Sequence, residues 1–463
     1  MIEFELACSP QSLTGRFNGA ADQLSQSFPA SSTCIERVQE LFYKGAWLKS
    51  ESKIVESWHA LGRTIREAQE LGLDKETANE GLAEFDIEIR RRLWTLLYVW
   101  DFQMSTWLGR PHLINQKDLS FTLPSLRLDS SPDDSIQLSP FAHIALQAQI
   151  GRRIAPLMGD VQTVGDLSPA QVSAALDEMR RFINELPPIF RLENPDRSLD
   201  AQHPYYIFQR HQLHVVIHMV MLDLLKPYLT RDPKKPKTPQ DAELRNVGVD
   251  IALRMLKVSR LMFEHEFPIN AKFHLVVFSI FDTATIICSA MIHDVDNVLP
   301  RREDIMDAIE DALDMLQQLS LTTKLGASSY WFVFKLVQAA PCLSQHAPIN
   351  KRQRTLQRAK SSTESGSDVK TPLPEQVLPT TAAPVIETEV KAPTAAFESE
   401  PEPVPNVPTT DDLSFDVEQF LAQNPFGSSS SNLDIGGMEV VFDWEELNLD
   451  WSVLNNDNNS SRM

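Results

Sequence analysis

The feature that most limits what this chain can fold into is a helical hydrophobic period running from Cys34 to Pro341 with no sustained strand alternation. In IVESWHALGRTIREAQELGL, Trp58, Leu61, Ile65 and Ala68 recur at i, i+3, i+4 spacing, and the run ends at Leu71-Gly72, where glycine suits a left-handed cap. The preceding ERVQELFYKGAWLK has its own stripe at Val38, Leu41, Phe42 and Gly45, so the two segments are expected to form an antiparallel helix pair. Further helices are expected over 141–154, 169–186, 205–229, 242–267, 272–293, 302–319 and 329–339. They are separated by loops such as LPPIF and TRDPKKPKTP, whose prolines remove a backbone donor and disfavour helix at the preceding residue. The expectation is an all-α, multi-helix unit over residues 35–343, preceded by a poorly ordered lead-in at 1–34.

Composition changes after that unit. Residues 344–410 begin with the basic stretch KRQRTLQRAK, turn Ser-rich, and then carry nine prolines between Thr371 and Pro408, which reads as an extended, disordered linker. Of the formal net charge of -20, the stretch Ala392–Ser461 contributes -14, with fourteen Asp and Glu and no Lys or Arg. A pI near 5.0 argues against a generally basic nucleic-acid surface, because neutralising phosphate needs clustered cations. Within residues 411–463, Phe415, Phe420, Phe442, Trp444, Leu447, Leu449 and Trp451 are interleaved with Asp and Glu. In that acidic-hydrophobic pattern the carboxylates keep aromatic side chains solvated and free to enter a partner's groove, so the tail is read as an activation segment.

Four widely spaced cysteines, Cys8, Cys34, Cys288 and Cys342, fit a reducing compartment and form neither a disulfide framework nor a zinc site. Glu3 and Glu5 stand where a secretory or mitochondrial leader would carry positive charge. The apolar run from Phe273 to Ile292 has Asp282 near its middle, so it is read as a buried core helix, and no membrane partner is expected.

RRRLWTLLYVWD, from Arg90 to Asp101, joins three arginines to an apolar run. On a helical wheel Ile89, Leu93, Leu96, Leu97, Trp100 and Met104 share one face, while Trp94 and Tyr98 lie opposite, so the helix is apolar almost all round and is expected to be buried. Asp86 and Glu88 precede Arg90 and Arg92 by four, an orientation that favours ion pairs, and Arg90 stands one turn before Trp94, where a guanidinium can stack. Gly109 suits the left-handed stop of this helix, and Pro111 cannot continue it.

These residues resemble the fungal-specific transcription factor domain, also called the middle homology or xylanolytic-activator regulatory domain, of the fungal zinc-binuclear-cluster family. The resemblance rests on Trp58, Gly62, Glu88, Arg90, Arg91, Arg92, Trp94, Asp101, Gly109, Arg110 and Pro111, with Leu71-Gly72-Leu73, Leu93, Asp118 and Leu123-Pro124 alongside; Thr95 stands where a second Trp is common. It implies a nuclear regulator of RNA polymerase II transcription whose helical domain is regulatory and non-enzymatic. It also implies partners: a coactivator or the general machinery through the acidic tail, a homodimer or a heterodimer with a DNA-binding relative, and an importin. The six-cysteine cluster that precedes the domain in the family is not among these residues, so no cofactor is expected here, and zinc is expected only with such a cluster upstream. The chain is read either as a shortened member of the family or as a modulator acting through a DNA-binding partner.

Other constellations admit both a functional and a structural reading. His211, His214 and His218 follow i, i+3, i+7 spacing, which suits either a metal or helix packing. HDVDN, with Asp294 and Asp296, would suit Mg²⁺ and diphosphate in an all-α enzyme, yet the acidic helix after it fits a solvated face. Lys351, Arg352, Arg354, Arg358 and Lys360 form the main candidate for nuclear import, with Lys234, Lys235 and Lys237 in DPKKPK a second.

Overall fold

The computed structural model of the chain describes residues 10–27, 33–115, 120–127, 138–159, 164–230, 238–294, 297–339 and 341–344. The basic loop 231–237, Asp118, Asp296, the import candidates at 351–360, the linker and the activation segment with its seven apolar positions lie outside the described residues.

The described residues are helical, with a lone antiparallel bridge between Arg127 and Leu138 as their strand-like pairing. The principal helices are α1 (Pro10–Gln26), α2 (Ile35–Ser50), α3 (Ile54–Glu70), α4 (Glu84–Leu108), α5 (Ala142–Met158), α6 (Pro169–Glu185), α7 (Tyr205–Leu229), α8 (Pro239–Glu266), α9 (His274–Ile292), α10 (Arg302–Ser320) and α11 (Lys324–Ala339).

The ends of these helices follow local chemistry. Ser168 and Thr238 each close a capping box, with Gln171 and Asp241 respectively, and a proline occupies the first helical position of both α6 and α8. For α8 this cap moves the start to Pro239, ahead of the expected 242. The start of α11 also precedes its expected position. Thr323 Oγ1 accepts the Gly326 N–H at 2.9 Å, and a Cβ on Gly326 would lie 2.6 Å from the Leu319 carbonyl group, so that glycine permits the close approach of α10. It does not break the helix.

The lead-in is corrected by α1. Its order comes from polar ties to α2, not from an apolar stripe: Lys44 Nζ donates to Asn18 at 2.7 Å and pairs with Asp22 at 2.8 Å, and Arg37 bonds Ser25. Phe17 and Leu24 remain 67% and 62% exposed, which is why no hydrophobic period announces this helix.

The expected antiparallel pair forms from α2 and α3, with Gly45 letting Ala60 and the Ser57 carbonyl approach and Ser57 Oγ donating to the Gly45 carbonyl at 2.8 Å. Packed against α7, α8, α10 and α11, α9 is buried along almost its whole length. It is long and apolar enough to cross a membrane, but here it is the central core helix. From α3, through α4 and α5, the chain packs on to α6 and α7, which places the arginine-bearing helix between the N-terminal pair and the rest.

Candidate regulatory core

The three arginines of α4 have three different destinations. Arg90 is buried; its Nε donates to Asn79 Oδ1 at 2.7 Å and its Nη2 to the Leu71 carbonyl at 2.6 Å. It therefore satisfies the C-terminal end of α3, where carbonyls lack helical partners. The expected Asp86 pair and Trp94 stack are thereby corrected: Asp86 is exposed, and the guanidinium is drawn to a buried carbonyl and amide, where a charged donor gains most. Arg91 engages Glu76 through both nitrogens, at 3.2 and 2.9 Å. Glu76 also accepts from the Thr122 N–H and from Asn79 Nδ2, and the Arg91 bond foremost holds its carboxyl down at about 2. Arg92 does pair with Glu88, at 2.8 Å, and also reaches Ser139.

These bonds become possible because α3 ends in a tight turn. Gly72 adopts φ +68°, the Leu73 N–H reaches back to the Ala68 carbonyl at 3.0 Å and the Gly72 N–H to Gln69 at 2.9 Å, which is a Schellman ending. The chain then makes a short 3₁₀ turn, Glu76–Asn79, that faces the arginines. Beyond them α4 is buried on nearly every side, with Trp94 only 2% exposed and edge-on to Phe121 at 6.3 Å.

A second Schellman ending closes α4. Gly109 has φ +60°, the Arg110 N–H bonds the Ser105 carbonyl at 2.9 Å and the Gly109 N–H bonds Thr106 at 3.3 Å. The chain that leaves it is captured by Asp101. This fully buried carboxylate accepts from the Leu113 N–H on both oxygens, at 3.0 and 2.9 Å, from the Ile114 N–H at 2.8 Å and from Ser105 Oγ at 3.1 Å. Arg110 swings over α3, its guanidinium carbon 4.5 Å from the centre of the Trp58 ring. Gly62, one turn beyond Trp58, leaves the space into which Leu113 settles; a Cβ there would stand 3.3 Å from Leu113 Cδ1.

The signature positions thus meet in space as a mesh of caps and ion pairs. Within it the guanidiniums of Arg90, Arg91 and Arg92 are each engaged by acceptors of the chain itself.

The other candidates take structural roles. His214 bonds the Phe190 carbonyl at 2.9 Å and His218 the His214 carbonyl at 2.7 Å, and burial pulls His211 and His214 down to about 4, leaving them neutral. Asp294 accepts from the Val298 and Leu299 N–H groups at 3.1 and 3.0 Å and from Arg302 and Arg245, so its oxygens are occupied. Among the described residues no group of three or more His, Cys, Asp or Glu is placed to hold a metal. Glu76 and Asn79 are the residues that sequence reasoning missed. They lie fifteen and eleven positions before their arginines, beyond any helical spacing, and the one signal for them was the Leu-Gly-Leu turn that folds the chain back.

The family described as the fungal specific transcription factor domain matches this chain over residues 10–184. Among curated proteins, the chain is 23% identical over 327 residues to transcription factor xilB of Penicillium rubens, covering 63% of this chain and 48% of that protein. It is 21% identical over 225 residues to the equisetin cluster transcription factor eqxF of Fusarium heterosporum, covering 46% and 32%. It is 37% identical over 73 residues to pyrimidine pathway regulatory protein 1 of Saccharomyces cerevisiae, covering 16% and 8%. The matched region spans about half or less of the length of these relatives. No solved structure matches the chain.

Proposed function

We propose that this chain, which carries the fungal specific transcription factor domain over residues 10–184, acts as a nuclear regulator of RNA polymerase II transcription rather than as an enzyme. The observation that carries the proposal is that family match, on the stretch where Trp58, Arg91, Asp101 and Arg110 interlock. The helical unit is the regulatory part. Residues 411–463 are the activating part, presenting Phe442, Trp444 and Trp451 to a coactivator, and the basic stretch from Lys351 to Lys360 is the import signal read by an importin.

A second reading concerns how DNA is reached. The four cysteines of these 463 residues cannot supply a six-cysteine cluster, and the arginine triplet is engaged by acceptors of the chain itself, so this stretch reaches DNA either through a cluster borne outside it or through a DNA-binding relative with which it dimerises. Zinc enters only with a cluster outside this sequence.

The test is a reporter assay with the full chain fused to an unrelated DNA-binding domain, compared with the same fusion carrying Phe442→Ala, Trp444→Ala and Trp451→Ala. Activation by the native fusion and its loss in the triple variant are expected; no activation by the native fusion refutes the activator role.

A further inference from the structure

A cavity of about 350 Å³ lies among α3, α4, α7, α8 and α9, within the range of small-molecule sites. Its walls are mainly apolar, with Phe102, Met255, Phe278 and Phe281 among them, and one edge is formed by Thr106 in the last turn of α4 and by Arg110 of the signature. Two carboxyls interrupt this surface: Asp223 on α7 and Asp282 on α9.

These carboxyls have no structural task of the kind that occupies Asp101 and Asp294. Among the described residues neither accepts a hydrogen bond or stands in an ion pair within 4 Å. A carboxylate placed on an apolar wall without such partners is costly, and packing gains nothing from it. Burial raises both carboxyls, Asp282 to about 6, where the Lys226 ammonium opposes the rise and Asp223 adds to it. The two acids therefore feel one another, and Asp223 also feels His112, an imidazole whose protonation burial disfavours, so Lys226 is the full positive charge both draw on and the pair is one positive charge short. Arg110, the other cation on the wall, lies over the Trp58 ring.

We propose that this cavity binds a small apolar molecule carrying a protonated amine, with its ammonium at Asp223 and Asp282 and its hydrocarbon body against Phe102, Phe278 and Phe281. The ammonium supplies both the missing charge and the missing hydrogen-bond donors. An anion of the same size would meet two carboxylates, and a neutral apolar molecule would leave both without a donor.

The test uses the full chain and three probes of matched shape: phenethylamine, phenethyl alcohol and phenylpropionate. Calorimetric titration at neutral pH is expected to give a dissociation constant for the amine at least about tenfold below those of the alcohol and the acid. Asp223→Asn and Asp282→Asn are each expected to weaken the amine by about tenfold while leaving the alcohol unchanged. Because each variant removes a charge that bonds none of the described residues, its melting temperature should equal or exceed that of the native chain, which separates lost binding from lost folding. Absence of amine binding, an amine no tighter than the alcohol, or full amine affinity in both variants would overturn the proposal. Binding is read on the protein alone, so its outcome is separate from whether the chain activates transcription.

Discussion

Replacing Asp101 with alanine removes the acceptor that holds the turn after α4. Among the described residues three donors lose this acceptor: the N–H groups of Leu113 and Ile114 and the hydroxyl of Ser105. A hydrogen bond to a charged group is worth about 1.5–3 kcal/mol, and a buried donor left unsatisfied carries its desolvation cost in full. Leu113 is 36% exposed and can recover water, whereas Ile114, 5% exposed, cannot. Ser105 is also fully buried, but its hydroxyl can turn to the carbonyl four residues back, so one full loss and two partial ones give about 3–5 kcal/mol, a large share of the roughly 5–15 kcal/mol by which domains are stable. With an unfolding entropy of about 2 cal/mol/K per residue over roughly 300 residues, the melting temperature should fall by about 5–8 °C. Thermal unfolding of full-length Asp101→Ala, followed by far-ultraviolet circular dichroism, measures the first effect. Amide hydrogen exchange at Leu113 and Ile114 measures the local one, where protection should vanish. A melting temperature within about 1 °C of native, or retained protection at Ile114, would refute the assignment of Asp101 as the latch.

Two further outcomes follow from the same mesh. Trp94→Ala should cost about 3–5 kcal/mol as a buried aromatic truncation, and Arg91→Ala about 1 kcal/mol or less because its pair is only part-buried; denaturant midpoints would rank them, and an equal or reversed order would contradict the burial argument. Glu76 is held at about 2 by Arg91, below its usual value, so its contribution is present above the unfolded carboxyl's range and is lost as pH falls through that interval. The melting-temperature gap between the native chain and Glu76→Gln should stay constant above about pH 5 and close as pH falls toward about 2; a gap independent of pH would remove the ion pair from the account.

What was legible in the sequence was what local chemistry decides. The helices over 205–229, 272–293 and 302–319 lie within two residues of their expected bounds because period and proline placement act within a few residues. The Glu88–Arg92 pair was legible for the same reason, being set by one turn of helix. What escaped was set by partners far along the chain. A helix fixed by Lys44 across twenty-two positions has no stripe to announce it, and the carboxyls of Asp223 and Asp282 become neighbours only once α7 and α9 are in place.

The signature shows why such distances matter. In the sequence, Trp58 with Gly62 and Gly109 with Arg110 are two fragments of a motif about fifty residues apart, and of the four only Gly109, as the left-handed stop of its helix, has a local reason for its identity. In the fold they form one joint. Gly109 turns the chain, Arg110 covers Trp58, Leu113 enters the space that Gly62 leaves open, and Asp101 holds the Leu113 N–H in that position. Each residue is explained by the next, so the joint registers α3 against α4 as a unit. Thr106, whose carbonyl accepts the Gly109 N–H, and Arg110 belong both to that joint and to the wall of the cavity.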